Sequence, residues 1–138
     1  MVRRELALVL SLAIGAASCG GAADPVAGPA SGTTTMADVQ AQVLTPRCAL
    51  PGCHVGSSAP FGLDMSSVAS SSANLIGVPS AERPGLSRVA PGDSSSSYLY
   101  WKVSGNPDIG GDPMPLSGGP LGGGDLALIA AWIDGGAK

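Results

Sequence analysis

Two cysteines and the chain's only histidine fall within seven consecutive residues, Cys48-Ala-Leu-Pro-Gly-Cys53-His54. Paired thiols followed at once by an imidazole are suited to covalent haem attachment. Each thiol can add across one haem vinyl group, and the adjacent imidazole then reaches the iron from the same face. The common form of this motif has two residues between the cysteines, and here there are four. Pro51-Gly52 is a turn dipeptide. It can loop out the extra length while the sulfurs keep the spacing of the vinyl groups.

A second iron ligand has to come from elsewhere in the chain. Met114 stands between Pro113 and Pro115. Fixed φ on both sides limits the backbone, so a thioether there can be held by a loop without regular structure. A neutral thioether opposite an imidazole favours reduced iron. Met114 lies 60 residues beyond His54, enough chain to return on the far face of a ring. The alternative for Met114 is a core plug, because methionine fills gaps well. Met65 is the rival ligand, and Met36 belongs to a helix face. Both of these read as core.

Elements that position such a site must be built from an unusual composition. Glycine and proline make up 33 of the 138 residues, and aromatic residues only 4%. So few large side chains leave a core that a buried porphyrin would help to fill. The net charge of −3 and the lack of any basic stripe argue against a nucleic-acid partner. Residues 1–18 read as an export signal: Arg3-Arg4, then an apolar run from Leu6 to Ala17 too short to span a bilayer. Ala16-Ala17-Ser18-Cys19 resembles a bacterial lipobox, which makes Cys19 a lipidation site and the cell envelope the destination. The other reading is an ordinary signal-peptidase site. Residues 19–34 then form the lipidated cysteine and a flexible tether. Gly20 after Cys19 favours the outer membrane over the inner, with the domain in the periplasm or at the surface.

Residues 35–138 form one domain, and its apolar periodicity is helical throughout. Thr35 with Asp38 makes a capping box for a helix over 36–44, whose face is Met36, Val39, Val43 and Leu44. Thr45-Pro46 should end it. Residues 55–65 read as a loop with Phe61, Leu63 and Met65 buried. A short helix over 66–75 carries Val68 and Leu75. Residues 76–92 are loop, broken by three prolines. Asp93 caps a helix through Ser104, stopped by Gly105, that gathers Tyr98, Leu99, Tyr100, Trp101 and Val103. Residues 105–124 have no periodicity. Asp125 caps a last helix over Leu126–Ile133, closed by Gly135-Gly136.

The order of helix, Cys-x-x-x-x-Cys-His, aromatic helix, Met-Pro loop and C-terminal amphipathic helix resembles a class I monohaem cytochrome c domain. It is similar in particular to small bacterial domains with an expanded haem motif, which carry phrases like RVAPGDSSSSYLYWKV, MPL and LALIAAWIDGGA. The resemblance covers residues 36–138. It implies an all-α, cytochrome c-like fold of about three to five short helices with long Gly/Pro-rich loops around one covalent haem c. It also implies crossed first and last helices. Cys48 and Cys53 are the implied thioether positions, with His54 and Met114 as axial iron ligands. Arg88, Tyr98, Tyr100 and Trp101 are candidates to line the haem or meet its propionates. The implied function is electron transfer with redox partner proteins, on a membrane through the lipid anchor, and not catalysis. Three rivals remain: a Cys48–Cys53 disulfide in a structural lipoprotein, a copper or zinc site of Cys48, Cys53, His54 and Met114, and a haem sensor or ligand binder in which Met114 is displaceable.

Overall fold

A computed structural model describes residues 32–138. The signal segment, Cys19 and most of the expected tether lie outside the described residues. The described chain is all-α, with four helices and no strand beyond isolated bridges such as Ile76 with Val89. No helix among the described residues is long and apolar enough to cross a membrane.

The first helix, α1, begins at the expected capping box. The Thr35 hydroxyl accepts from Asp38 N–H, and the Asp38 carboxylate accepts from Thr35 N–H at 2.8 Å. It does not stop at Thr45-Pro46. An α-turn over Met36–Val39 passes into π-helical turns over Gln40–Leu44 and then a last α-turn over Thr45–Arg47. An α-helix cannot take proline in its interior without a missing N–H and a clash one turn back. The wider π-turn, closed by Thr45 N–H on the Gln40 carbonyl, accommodates Pro46. The helix therefore runs up to Cys48.

The second helix, α2 (Val68–Leu75), is capped by the Ser67 hydroxyl and buries Ser71 and Leu75. Val68 faces outward at 41% exposure, because the buried stripe of this short helix lies on the side of 71 and 75. Ser71 donates to Gln40 Oε1 at 2.7 Å, and Gln40 Nε2 donates to the Met65 carbonyl at 2.9 Å. This buried network ties the π-turn, α2 and the segment after His54 together.

The expected helix from Asp93 to Ser104 is broken in two. Asp93 caps a 3-10 turn over Ser94–Ser96, and α3 starts afresh at Tyr98–Ser104. Fully buried Ser97 makes the break. Its hydroxyl accepts from Ala90 N–H and donates to the Asp93 carbonyl, both at 2.8 Å, and such local bonds compete with a helix. The first N–H groups of α3 donate to the carbonyls of Ser87 and Arg88 at 3.0 and 2.8 Å, which satisfies a helix start that has no side-chain cap. Gly105, at φ +74°, ends it.

The last helix, α4 (Gly123–Asp134), starts three residues earlier than expected. Gly122 is its N-cap, and Asp125 lies in the first turn, where a carboxylate favours the positive end of the helix dipole without capping it. Ile129, Trp132 and Ile133 are completely buried. They pack with Val39, Val43 and Leu44 of α1 and with Leu99 and Val103 of α3, so the first and last helices are in contact. The two ends of the domain are joined as well, Met36 N–H and Trp132 Nε1 both donating to the Lys138 carbonyl. Leu99 and Val103 of α3 belong both to this core and to the wall of the site, which the end of α1 also borders.

Candidate functional site

The motif is a closed loop hung on the end of α1. Cys48 and Ala49 N–H both donate to the Leu44 carbonyl, and His54 N–H returns to the Cys48 carbonyl at 3.2 Å. Between them Leu50 to Cys53 form a tight turn closed by Cys53 N–H on the Leu50 carbonyl at 2.9 Å. Gly52 takes φ +81° there, with proline before it, as a type II turn requires. The two additional residues are thereby turned outward. Cys48 is buried and Cys53 exposed, and both are free thiols. Burial pushes the Cys48 thiol up to about 11, against the opposing pull of Arg47.

His54 is held at three points. Besides its own N–H, its carbonyl accepts from Met65 N–H at 2.8 Å, and its Nδ1 lies 3.2 Å from the Leu63 carbonyl. A carbonyl can only accept, so Nδ1 carries the proton and Nε2 the lone pair. Burial lowers the imidazole pKa, Arg88 adds to that, and the Leu63 bond opposes it. The ring is therefore neutral at pH 7 and pre-oriented as a ligand, which is the arrangement metal-binding histidines use.

Asp64 organises the loop that carries Leu63. Its Oδ1 accepts from Gly56 and Ser66 N–H, both at 3.0 Å. These bonds, Gly56 first, hold its carboxyl below the ordinary value of 3.8. A carboxyl depressed by folding stabilises above its ordinary value, and that stability is lost as pH falls through the folded value. Asp64→Asn should therefore lower Tm at neutral pH, with the gap closing below about pH 4. Thermal melts of both proteins from neutral to acid pH measure this, and a gap independent of pH contradicts it.

Cys48, Cys53, His54 and Met114 line one cavity. The cavity volume is about 210 Å³, and it opens to solvent at its mouth. Its wall is largely apolar, with Leu63, Leu75, Leu99 and Val103 among the lining residues. Protein interiors are close-packed, so a crevice of this kind in a short chain is a place for a ligand. Met114 is half-buried at its edge, its N–H donating to the Lys102 carbonyl at 2.8 Å. Met65 also lines it, at 2% exposure.

The remaining expected site residues divide. Arg88 lines the cavity, but its guanidinium already donates to the carbonyls of Asn74 and Phe61, both at 2.8 Å. Tyr98 lines it too, its hydroxyl donating to Glu82 and accepting from Gly110 N–H. Trp101 is not among the lining residues. Its Nε1 donates to the Ser95 carbonyl at 2.6 Å, and the Arg83 guanidinium lies over its ring. Helix geometry accounts for this, since successive residues advance 100° around the axis. Tyr98, Leu99, Lys102 and Val103 share one face, with Trp101 beyond one edge and Tyr100 beyond the other. Phe61, expected to be buried, is 65% exposed at the cavity mouth with φ +57°. The bond from Arg88 to its carbonyl helps to hold that unfavourable backbone.

Two residues in the wall were not anticipated, Lys102 and Glu82, which form an ion pair at 3.0 Å. Lys102 had a visible signal, since it stands four residues after Tyr98 on the apolar face of α3. Glu82 had none, because it lies in irregular chain that only the fold brings across.

The donor types present are ones that a covalently attached haem could use. Two thiols, one neutral imidazole and one thioether border an apolar crevice. Among the described residues, no three of His, Cys, Asp and Glu are gathered closely enough to hold a metal ion alone. The chain matches no protein-family model, no curated protein and no solved structure.

Proposed function

We propose that this chain is an exported, lipid-anchored one-electron carrier of the c-type cytochrome kind. One covalent haem c would be held by Cys48 and Cys53, with His54 and Met114 as axial ligands. The observation that carries the reading is the convergence of these four residues on one largely apolar cavity, with His54 Nδ1 engaged by Leu63 so that Nε2 is the free nitrogen. Bound there, the haem supplies a metal that takes up and releases a single electron. The chain's own part is to fix the imidazole, exclude water with Leu63, Leu75 and Leu99, and keep the Met114 thioether at the same cavity. Exchange would occur at small, transient contacts with partner redox proteins. Anchoring through Cys19 and placement at the outer membrane rest on the sequence of residues 1–20.

The test is purification of the full chain from the envelope of a bacterium with a haem-attachment system, followed by mass spectrometry and absorbance under denaturing conditions. A haem band that survives denaturation, with the mass of haem and of acyl chains added to a chain beginning at Cys19, is the expected result. A colourless protein with Cys48 and Cys53 joined to each other, or one holding copper or zinc, overturns the reading.

A further inference from the structure

The haem reading leaves unexplained why α3 turns a lysine toward its apolar side. Lys102 is only 8% exposed. A buried ammonium is costly unless it is paired, and this one is paired twice. Its Nζ lies 3.0 Å from Glu82 Oε2 and 2.7 Å from the Gly110 carbonyl. The same residue's own carbonyl accepts from Met114 N–H at 2.8 Å. Tyr98, one turn earlier on the helix, completes the set. Its hydroxyl donates to Glu82 at 3.1 Å and accepts from Gly110 N–H at 2.9 Å. Gly110 to Met114 has two glycines and no regular structure. A leucine at 102 would fill the volume, but it could donate to neither Glu82 nor the Gly110 carbonyl.

We infer that Lys102 is the positioning residue for Met114, fastening both ends of the 110–114 segment to α3 with Glu82 and Tyr98 as its supports. The inference rests on the haem reading and deepens it, by assigning what ties the Met114 segment to α3, which the flanking prolines stiffen but do not attach. Lys102 touches no reacting atom in this scheme and acts through Met114.

Loosening the segment makes the thioether easier to displace, so an external ligand reports on it. The ferric holoprotein is titrated with imidazole and followed by absorbance. Lys102→Met is expected to tighten apparent imidazole binding on the order of tenfold, as loss of one charge-assisted hydrogen bond implies. Glu82→Gln, which keeps an acceptor but removes the charge, should shift binding the same way by less. It also decides the matter if Lys102→Met does not fold. In a Met114→Ala background neither substitution should alter imidazole affinity, because the group they act through is gone. The same fold-change in both backgrounds, or no change in either, overturns the inference while leaving the haem reading intact. A wild-type protein without haem overturns both.

Discussion

Replacing His54 with alanine is expected to reduce the yield of haem protein to background while the apo chain keeps its helical content. The two halves of that expectation come from different parts of the molecule. The helices are held by a core of Trp132, Ile129, Ile133, Val39 and Val43, all of them fully buried, and His54 belongs to the loop beyond it. The closure of the motif by His54 N–H on Cys48, and of the following loop by Met65 N–H on His54, are backbone bonds that alanine preserves. What alanine removes is the imidazole, the chain's only one, and with it the only nitrogen ligand held ready by the Leu63 carbonyl. Lysine or arginine at the cavity cannot replace it. The Lys102 ammonium is already engaged, and a guanidinium has no lone pair to offer. The measurement is absorbance of envelope fractions against immunodetected protein, with circular dichroism of the apo chain. Normal pigmentation of His54→Ala would falsify the proposed ligation.

The residues with chemistry were legible because their types are scarce. One histidine, three cysteines and four methionines leave few combinations, and a thiol pair next to an imidazole stands out at any level of structural ignorance. The helices were legible because apolar period is a local property, and the capping box at Thr35 and the glycine stop at Gly105 are local too. Their edges were less so. Pro46 reads as a terminator because its local cost is plain, while the π-turn that accommodates it is not visible in the residues. Ser97 reads as an indifferent helix residue, and becomes a break only because Ala90 and Asp93 are brought within reach of its hydroxyl. Phe61 shows the same limit in reverse. An aromatic in a loop ordinarily seeks the core, but the Arg88 bond holds its backbone in a conformation that turns the ring outward at the cavity mouth. The Lys102–Glu82 pair joins residues 20 apart through tertiary structure alone, and no pattern in either segment announces it.

Met114→Ala tests the thioether that lines the same cavity as His54. The haem should remain attached, since Cys48, Cys53 and His54 are untouched, but its absorbance should change from that of a low-spin to that of a high-spin or water-ligated iron. Its potential should fall by a measurable part of the ~0.8 V over which axial ligands set haem potentials. The direction follows from the thioether, which as a neutral, soft ligand favours the reduced metal. Alanine isolates that effect, because Pro113 and Pro115 still restrain the loop and the backbone bond to Lys102 is still available. Carbon monoxide binding to the reduced protein gives an independent measure. The wild type should bind it poorly without denaturant and the variant readily. A wild type that binds it readily would turn the assignment toward a sensor or ligand binder. Met65 makes the experiment decisive, because it borders the same cavity from the His54 side and is almost wholly buried. If Met65 is the sulfur ligand, Met114→Ala leaves the spectrum unaltered and Met65→Ala changes it. If Met114 is, Met65→Ala weakens the fold through the core it fills and leaves the ligand field of the folded fraction as it was.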